Sequence, residues 1–159
     1  MEPPDGVRIK KSTGKMQIAT PGDVSYLGYI RTIVADLARQ MGFSESEVAK
    51  IEMAVDEACS NVLEHAYAHD KQWLWQHREP EMRLEIRTED GRLVVEINDH
   101  GERFDLDRYQ PPPLEDRLEK MASGGYGLHI MRRFMDEVHY SSDPQTGNTL
   151  RLVKYLKKS

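Results

Sequence analysis

Apolar residues along this chain follow two rhythms, and each predicts a different kind of element. Val24, Leu27, Ile30, Val34, Leu37, Ala38 and Met41 recur at helical spacing. Thr20-Pro21-Gly22-Asp23 precedes them as a turn with Asp23 as N-cap, and Gly42 follows as the stop. Val48, Ile51, Val55, Ala58 and Val62 carry a second helical period. Ser44 with Glu47 three residues on forms a capping box for it, and the helix is expected to run to about Ala68. Elsewhere the period is two. Met82, Leu84 and Ile86 alternate with charged residues, Glu89-Asp90-Gly91-Arg92 is a hairpin turn, and Leu93 to Ile97 is the return strand. Met16 to Ala19, Glu137 to Ser142 and Thr149 to Leu156 complete the strands. Leu128, Met131, Phe134 and Met135 mark a third helix behind Gly124-Gly125-Tyr126-Gly127.

Hairpins imply antiparallel pairing, and helices grouped in sequence imply a shared face. The expected architecture is therefore a two-layer α/β sandwich: a mixed, mostly antiparallel sheet covered on one face by helices. Residues 1–15 read as a flexible leader, 16–156 as one domain and 157–159 as a tail. Two stretches resist regular structure. Asp70 to Pro80 is a polar loop carrying Trp73 and Trp75, an interface hint or a foldback onto the core. Residues 106–123, interrupted by Pro111-Pro112-Pro113, read as a lid with a short helix at Leu114 to Met121.

Composition narrows the class. With 159 residues, 38% hydrophobic and 31% charged, the chain is long enough for one domain with a real core. Its net charge of −5 argues against a general nucleic-acid binder. The basic residues Arg8, Lys10, Lys11 and Lys15 are expected in the leader, and Lys157-Lys158 in the tail. No apolar run approaches the roughly 18 residues of a membrane span, and the start has no signal pattern, so the expectation is cytoplasmic. A single cysteine, Cys59, excludes an intrachain disulfide and a cysteine zinc site, and its place beside the apolar stripe predicts a buried, inert thiol.

Three clusters at element junctions carry candidate chemistry. Glu57, Asn61 and His65 stack one turn apart on the second helix. A carboxylate there can orient or deprotonate a hydroxyl, and an amide oxygen can ligate magnesium that arrives with a nucleotide. Asp99, followed by Gly101, Phe104 and Asp105, ends a strand. An ionised aspartate only accepts hydrogen bonds, so a buried one selects a donor such as the adenine amine over the guanine oxygen. Gly124, Gly125 and Gly127 open the third helix, where backbone amides and the helix dipole favour phosphate. The chain has no P-loop, no His-Arg-Asp catalytic loop, no Gly-x-Ser-x-Gly nucleophile and no His-Glu-x-x-His helix.

In this order, with a lid between the second and third, the clusters resemble the Bergerat-fold ATPases, the superfamily of gyrase, chaperone, histidine kinase and mismatch-repair ATPase domains. The runs Val55-Asp56-Glu57-Ala58-Cys59-Ser60-Asn61, His65-Ala66-Tyr67, Met135-Asp136-Glu137-Val138 and Arg151 to Leu156 are similar to the bacterial anti-sigma-factor serine kinases. The resemblance covers about Met16 to Leu156. It implies ATP and Mg2+ as ligands and a homodimer that holds a sigma factor. It also implies phosphorylation of a serine on an anti-anti-sigma partner. On the same resemblance, Glu57 is the base, Asn61 the magnesium ligand, Asp99 the adenine reader and Gly101 the residue beneath the base. Gly125, Gly127 and Leu128 meet the phosphates. Phe104 and Gly124 belong to the same boxes, and Ser123, Arg117 and Lys120 are lid candidates for phosphate contact. Thr149 resembles the threonine of the last strand that supports the aspartate, while His65 is a motif marker without a catalytic role. The alternative is an ATP-binding partner-switch module without phosphotransfer. A histidine kinase ATPase half and a non-nucleotide structural domain are further readings. The long tryptophan loop and the triple proline depart from the family's usual pattern.

Overall fold

The computed structural model describes residues 2–63, 81–100 and 127–158. In chain order these form β1 (Arg8–Ser12), β2 (Lys15–Pro21), α1 (Leu27–Met41), α2 (Glu45–Asn61), β3 (Glu81–Glu89), β4 (Arg92–Asp99), α3 (Gly127–Phe134), β5 (Glu137–Asp143) and β6 (Gly147–Tyr155). The strands make one sheet in the order β1-β2-β3-β4-β6-β5, with every described pairing antiparallel. Helix α2 packs between α1 and α3 on one face of that sheet. The two-layer architecture expected from the sequence is therefore the one observed.

Alternation decides which residues form the core. Ile18 of β2, Leu84 of β3, Ile97 of β4 and Leu152 of β6 point to the helices, where they meet Val34, Ile51 and Met131. Each is almost completely excluded from solvent. Fully burying an aliphatic side chain of this size contributes about 1.5–3 kcal/mol.

Sequence signals at the helix ends act locally as expected, with one shift. Ser44 and Glu47 form a reciprocal capping box at α2: Ser44 N–H donates to Glu47 Oε2 at 3.0 Å, and Glu47 N–H donates to Ser44 Oγ at 3.3 Å. Gly42 stops α1 in the left-handed region, at φ 99°. Asp23 accepts from the Ser25 N–H at 2.7 Å, but it caps a short 3-10 turn at Val24–Tyr26 rather than α1 itself. Val24, expected on the buried face, is consequently 65% exposed. The β3–β4 turn has Asp90 at φ 50° and Gly91 at φ 69°, the two positive angles that a type I′ hairpin requires.

The segment expected as a leader needs correcting. Residues 8–12 pair with β2 from Arg8 opposite Ala19 to Ser12 opposite Lys15. This edge strand carries one apolar residue, Ile9, so it has no alternation to reveal it. Its lysines suit an edge, where charge discourages pairing with another chain.

The face of the sheet turned away from α1, α2 and α3 holds a ladder of opposite charges. Lys15 meets Glu85 at 2.9 Å, and Arg87 bridges Glu85 at 2.8 Å and Glu96 at 2.9 Å. These pairs run across β2, β3 and β4, as cross-strand neighbours on one face do. Among the described residues no helix is long and apolar enough to cross a membrane.

Candidate nucleotide site

Asp99 is the last residue of β4 and stands on the helix-covered face, where it is only 5% exposed. A buried carboxylate needs donors. Asn148, opposite it on β6, supplies one: its Nδ2 donates to Asp99 Oδ1 at 2.9 Å. Asn148 is itself 4% exposed, and its Oδ1 accepts from Ser142 Oγ of β5 at 2.7 Å.

The approach of β6 to Asp99 rests on a glycine. Gly147 has φ 88°, and a Cβ there would lie 2.4 Å from the Asp99 carbonyl oxygen and 2.7 Å from His100 Nδ1. No side chain fits between the strands at this point. The turn before it is set by Asp143, which accepts from the Gln145 and Thr146 N–H groups at 2.7 and 2.9 Å. The Thr146 and Gln145 amides hold the Asp143 carboxyl below the usual carboxylate range.

Thr149 lies elsewhere. It stands on the face turned away from α1, α2 and α3, where its Oγ1 donates to Asn98 Oδ1 at 2.7 Å. The side chain beside Asp99 is the preceding residue, Asn148. Adjacent strand residues point to opposite faces, so an offset of one residue exchanges the helix-covered side for the opposite one. The sequence does hold the signal that would have found Asn148, because it alternates in phase with the buried Leu150 and Leu152.

Helix α2 carries the second part of the site. Glu57 and Asn61 are both half-buried and one turn apart, while Ala58 and Cys59 between them are fully buried. The polar pair thus borders the apolar stripe, as the periodicity predicts. Asn61 is the last residue of α2, and the following N–H, that of Val62, is shared between the Ala58 and Cys59 carbonyls. Burial pushes the Cys59 thiol well above the usual cysteine range, so it is no nucleophile. Among the described residues no three His, Cys, Asp or Glu side chains converge into a metal cluster.

Helix α3 supplies the third part. It begins at Gly127, and Leu128 is 4% exposed, seated in the core beside α2. At its other end Lys154 of β6 donates to the Phe134 carbonyl at 2.8 Å, and the Tyr155 N–H donates to Asp136 Oδ2 at 2.7 Å. The helix is thereby tied at its C-terminus to the strand that carries Asn148. The structure thus places Glu57, Asn61, Asp99 and Leu128 in the helix layer or facing it, and Thr149 on the opposite face. His65, the Trp73 and Trp75 loop, Gly101, Phe104, the lid with Arg117 and Lys120, Ser123, Gly124 and Gly125 lie outside the described residues.

Comparison with known proteins gives a consistent picture. The sequence model of the histidine kinase-like ATPase domain matches residues 20–154. The serine-protein kinase RsbW of Bacillus subtilis is 30% identical over 152 residues, covering 93% of this chain and 89% of that protein. RsbW of Bacillus licheniformis is 29% identical over 154 residues, covering 94% and 91%. Among solved structures, that of the RsbU and RsbW domains of Rv1364c from Mycobacterium tuberculosis superposes with a TM-score of 0.59 at 17% identity. It covers 91% of this chain, which spans about a third of that longer protein (33%), and the likeness bears on the fold.

Proposed function

The chain belongs to the histidine kinase-like ATPase family and to its RsbW serine-protein kinases, and from that premise we propose that it uses ATP to phosphorylate a serine of an anti-anti-sigma partner and holds a sigma factor in alternation. The observation that carries this reading is Asp99, buried at the end of β4 and held by Asn148 on the helix-covered face. An aspartate that accepts hydrogen bonds there fits the exocyclic amine of adenine and opposes the oxygen of guanine.

The other residues fit the rest of a nucleotide. The half-buried Asn61 offers one neutral amide oxygen, enough for a magnesium ion that keeps waters and takes phosphate oxygens as its remaining ligands. Mg2+ supplies charge neutralisation across the phosphates when bound. Glu57, one turn before Asn61, orients the acceptor hydroxyl and takes its proton. Gly127 and Leu128 open α3, whose first-turn N–H groups and positive dipole end suit phosphate oxygens. Gly101, Phe104, Ser123, Gly124 and Gly125 join the nucleotide contacts on the motif, and residues 106–123 act as the lid that excludes water. A cytoplasmic homodimer completes the proposal.

The test is phosphoryl transfer. The protein is incubated with labelled ATP and Mg2+ together with the anti-anti-sigma protein encoded nearest to it. Label should appear on a partner serine, and Glu57→Ala should abolish transfer while nucleotide binding persists. Binding to the partner with no label transferred by the unaltered protein would instead identify a partner-switch module.

A further inference from the structure

Ser142, Asn148 and Asp99 occupy one row across three strands. Asp99 is in register with Asn148 across β4 and β6, and Asn148 with Ser142 across β6 and β5. The row is hydrogen-bonded in one direction, from the Ser142 hydroxyl to the Asn148 carbonyl oxygen at 2.7 Å and from the Asn148 amide to Asp99 Oδ1 at 2.9 Å. Its inner members are 4–5% exposed, whereas Ser142 lies at the exposed outer strand.

We propose that Ser142 is a positioning residue for adenine recognition, acting on Asp99 through the Asn148 carboxamide. A carboxamide has a donor end and an acceptor end, and a buried one must satisfy both. Only the donor end suits Asp99, because the acceptor end would set two lone-pair-bearing oxygens against each other. Ser142 satisfies the acceptor end and so holds the amide with its N–H groups toward Asp99. Each hydrogen bond in such a chain also polarises the next, which makes Asn148 a stronger donor. Without the hydroxyl, the nearly buried Asn148 oxygen loses this partner. The carboxamide is then held less firmly in this orientation, and its hydrogen bond to Asp99 weakens. An edge-strand serine thereby tunes base selection two strands away.

This inference rests on the adenine reading of Asp99 and predicts a dependence that general destabilisation does not produce. In an antiparallel pair, directly opposite Cβ atoms are about 4.5–5.5 Å apart. A threonine at position 148 brings a hydroxyl to Asp99 over that span and has no amide oxygen for Ser142 to satisfy. The effect of Ser142 should therefore exist with asparagine at 148 and vanish with threonine.

The experiment titrates ATP-Mg and GTP-Mg calorimetrically into the full chain, Ser142→Ala, Ser142→Thr, Asn148→Thr and the Ser142→Ala, Asn148→Thr double variant. Ser142→Ala should weaken ATP about fivefold to tenfold, the effect of roughly one hydrogen bond. Its GTP affinity should stay within about twofold, so the preference between bases narrows. Ser142→Thr should restore ATP affinity. In the Asn148→Thr background, the same serine change should alter ATP affinity less than about twofold. An unchanged ATP affinity in Ser142→Ala overturns the proposal, as does an equal loss in both backgrounds. A parent chain that binds ATP no better than GTP overturns the adenine reading itself, and this inference with it.

Discussion

Lys154 reaches from β6 to the Phe134 carbonyl at 2.8 Å and closes the last turn of α3. The lysine is 8% exposed, a rare setting for an ammonium group. Two features make it tolerable. The C-terminal end of a helix is the negative end of its dipole, and Asp136 Oδ1 lies 4.0 Å away. The contact couples the strand behind Asp99 to the helix that begins at Gly127.

Lys154→Met keeps the apolar stem but leaves the Phe134 carbonyl without this donor. The expected cost is about 1–3 kcal/mol. For a chain of this size each kcal/mol lowers Tm by roughly 2–4 °C, so the loss should be plain in a thermal melt. An unchanged Tm would show that the contact contributes nothing to the fold.

Gly147→Ala places a methyl group where the Asp99 carbonyl and the His100 ring already stand, at a backbone angle that disfavours side chains. The angle alone costs about 1–3 kcal/mol, and the clash adds to it. The variant should melt earlier and bind ATP more weakly, because strand β6 must retreat from Asp99. Gly91→Ala, at φ 69° with no atom within 4 Å, provides the comparison. It should lower Tm and leave ATP affinity unchanged. Equal ATP affinity in both variants would contradict the account.

The charge ladder predicts a pH dependence. Burial pushes the Glu85 carboxyl up, but hydrogen bonds from Lys15, Gln17 and Arg87 outweigh it and leave the pKa below the ordinary glutamate value. The unfolded chain therefore binds this proton more readily than the folded one. The resulting stability is fully present above the ordinary glutamate pKa and is lost as pH falls through the lower folded value. Glu85→Gln should reduce Tm near neutral pH, and the two melting curves should converge as the pH falls through the lowered folded pKa of Glu85. A constant gap between them at all pH values would contradict the assignment.

Much of this arrangement is visible in the residues themselves. Helical period places Glu57 and Asn61 at the margin of a buried stripe, and strand alternation places Asp99 in phase with Val95 and Ile97. Both depend on local spacing alone. The features that escaped depend on pairing between distant segments. Thr149 was the expected support for Asp99, but strand alternation sends it to the other face, and the residue opposite Asp99 is fixed only by the β4–β6 register. Ser142 and Lys154 gain their roles from β5 and α3, which short-range patterns cannot position. Strand β1 was hidden because an edge strand of Arg8, Lys10 and Lys11 has little apolar content to show.

Adenine recognition by Asp99 is measured by calorimetric titration of ATP-Mg into Asp99→Asn. Affinity should fall about 10- to 100-fold, the effect of a hydrogen bond to a charged group, with the preference for ATP over GTP lost as well. Thr149→Ala, on the opposite face, should remain within about twofold of the unaltered protein. ATP binding by Asp99→Asn at full strength, with its base preference intact, would show that Asp99 does not read the base.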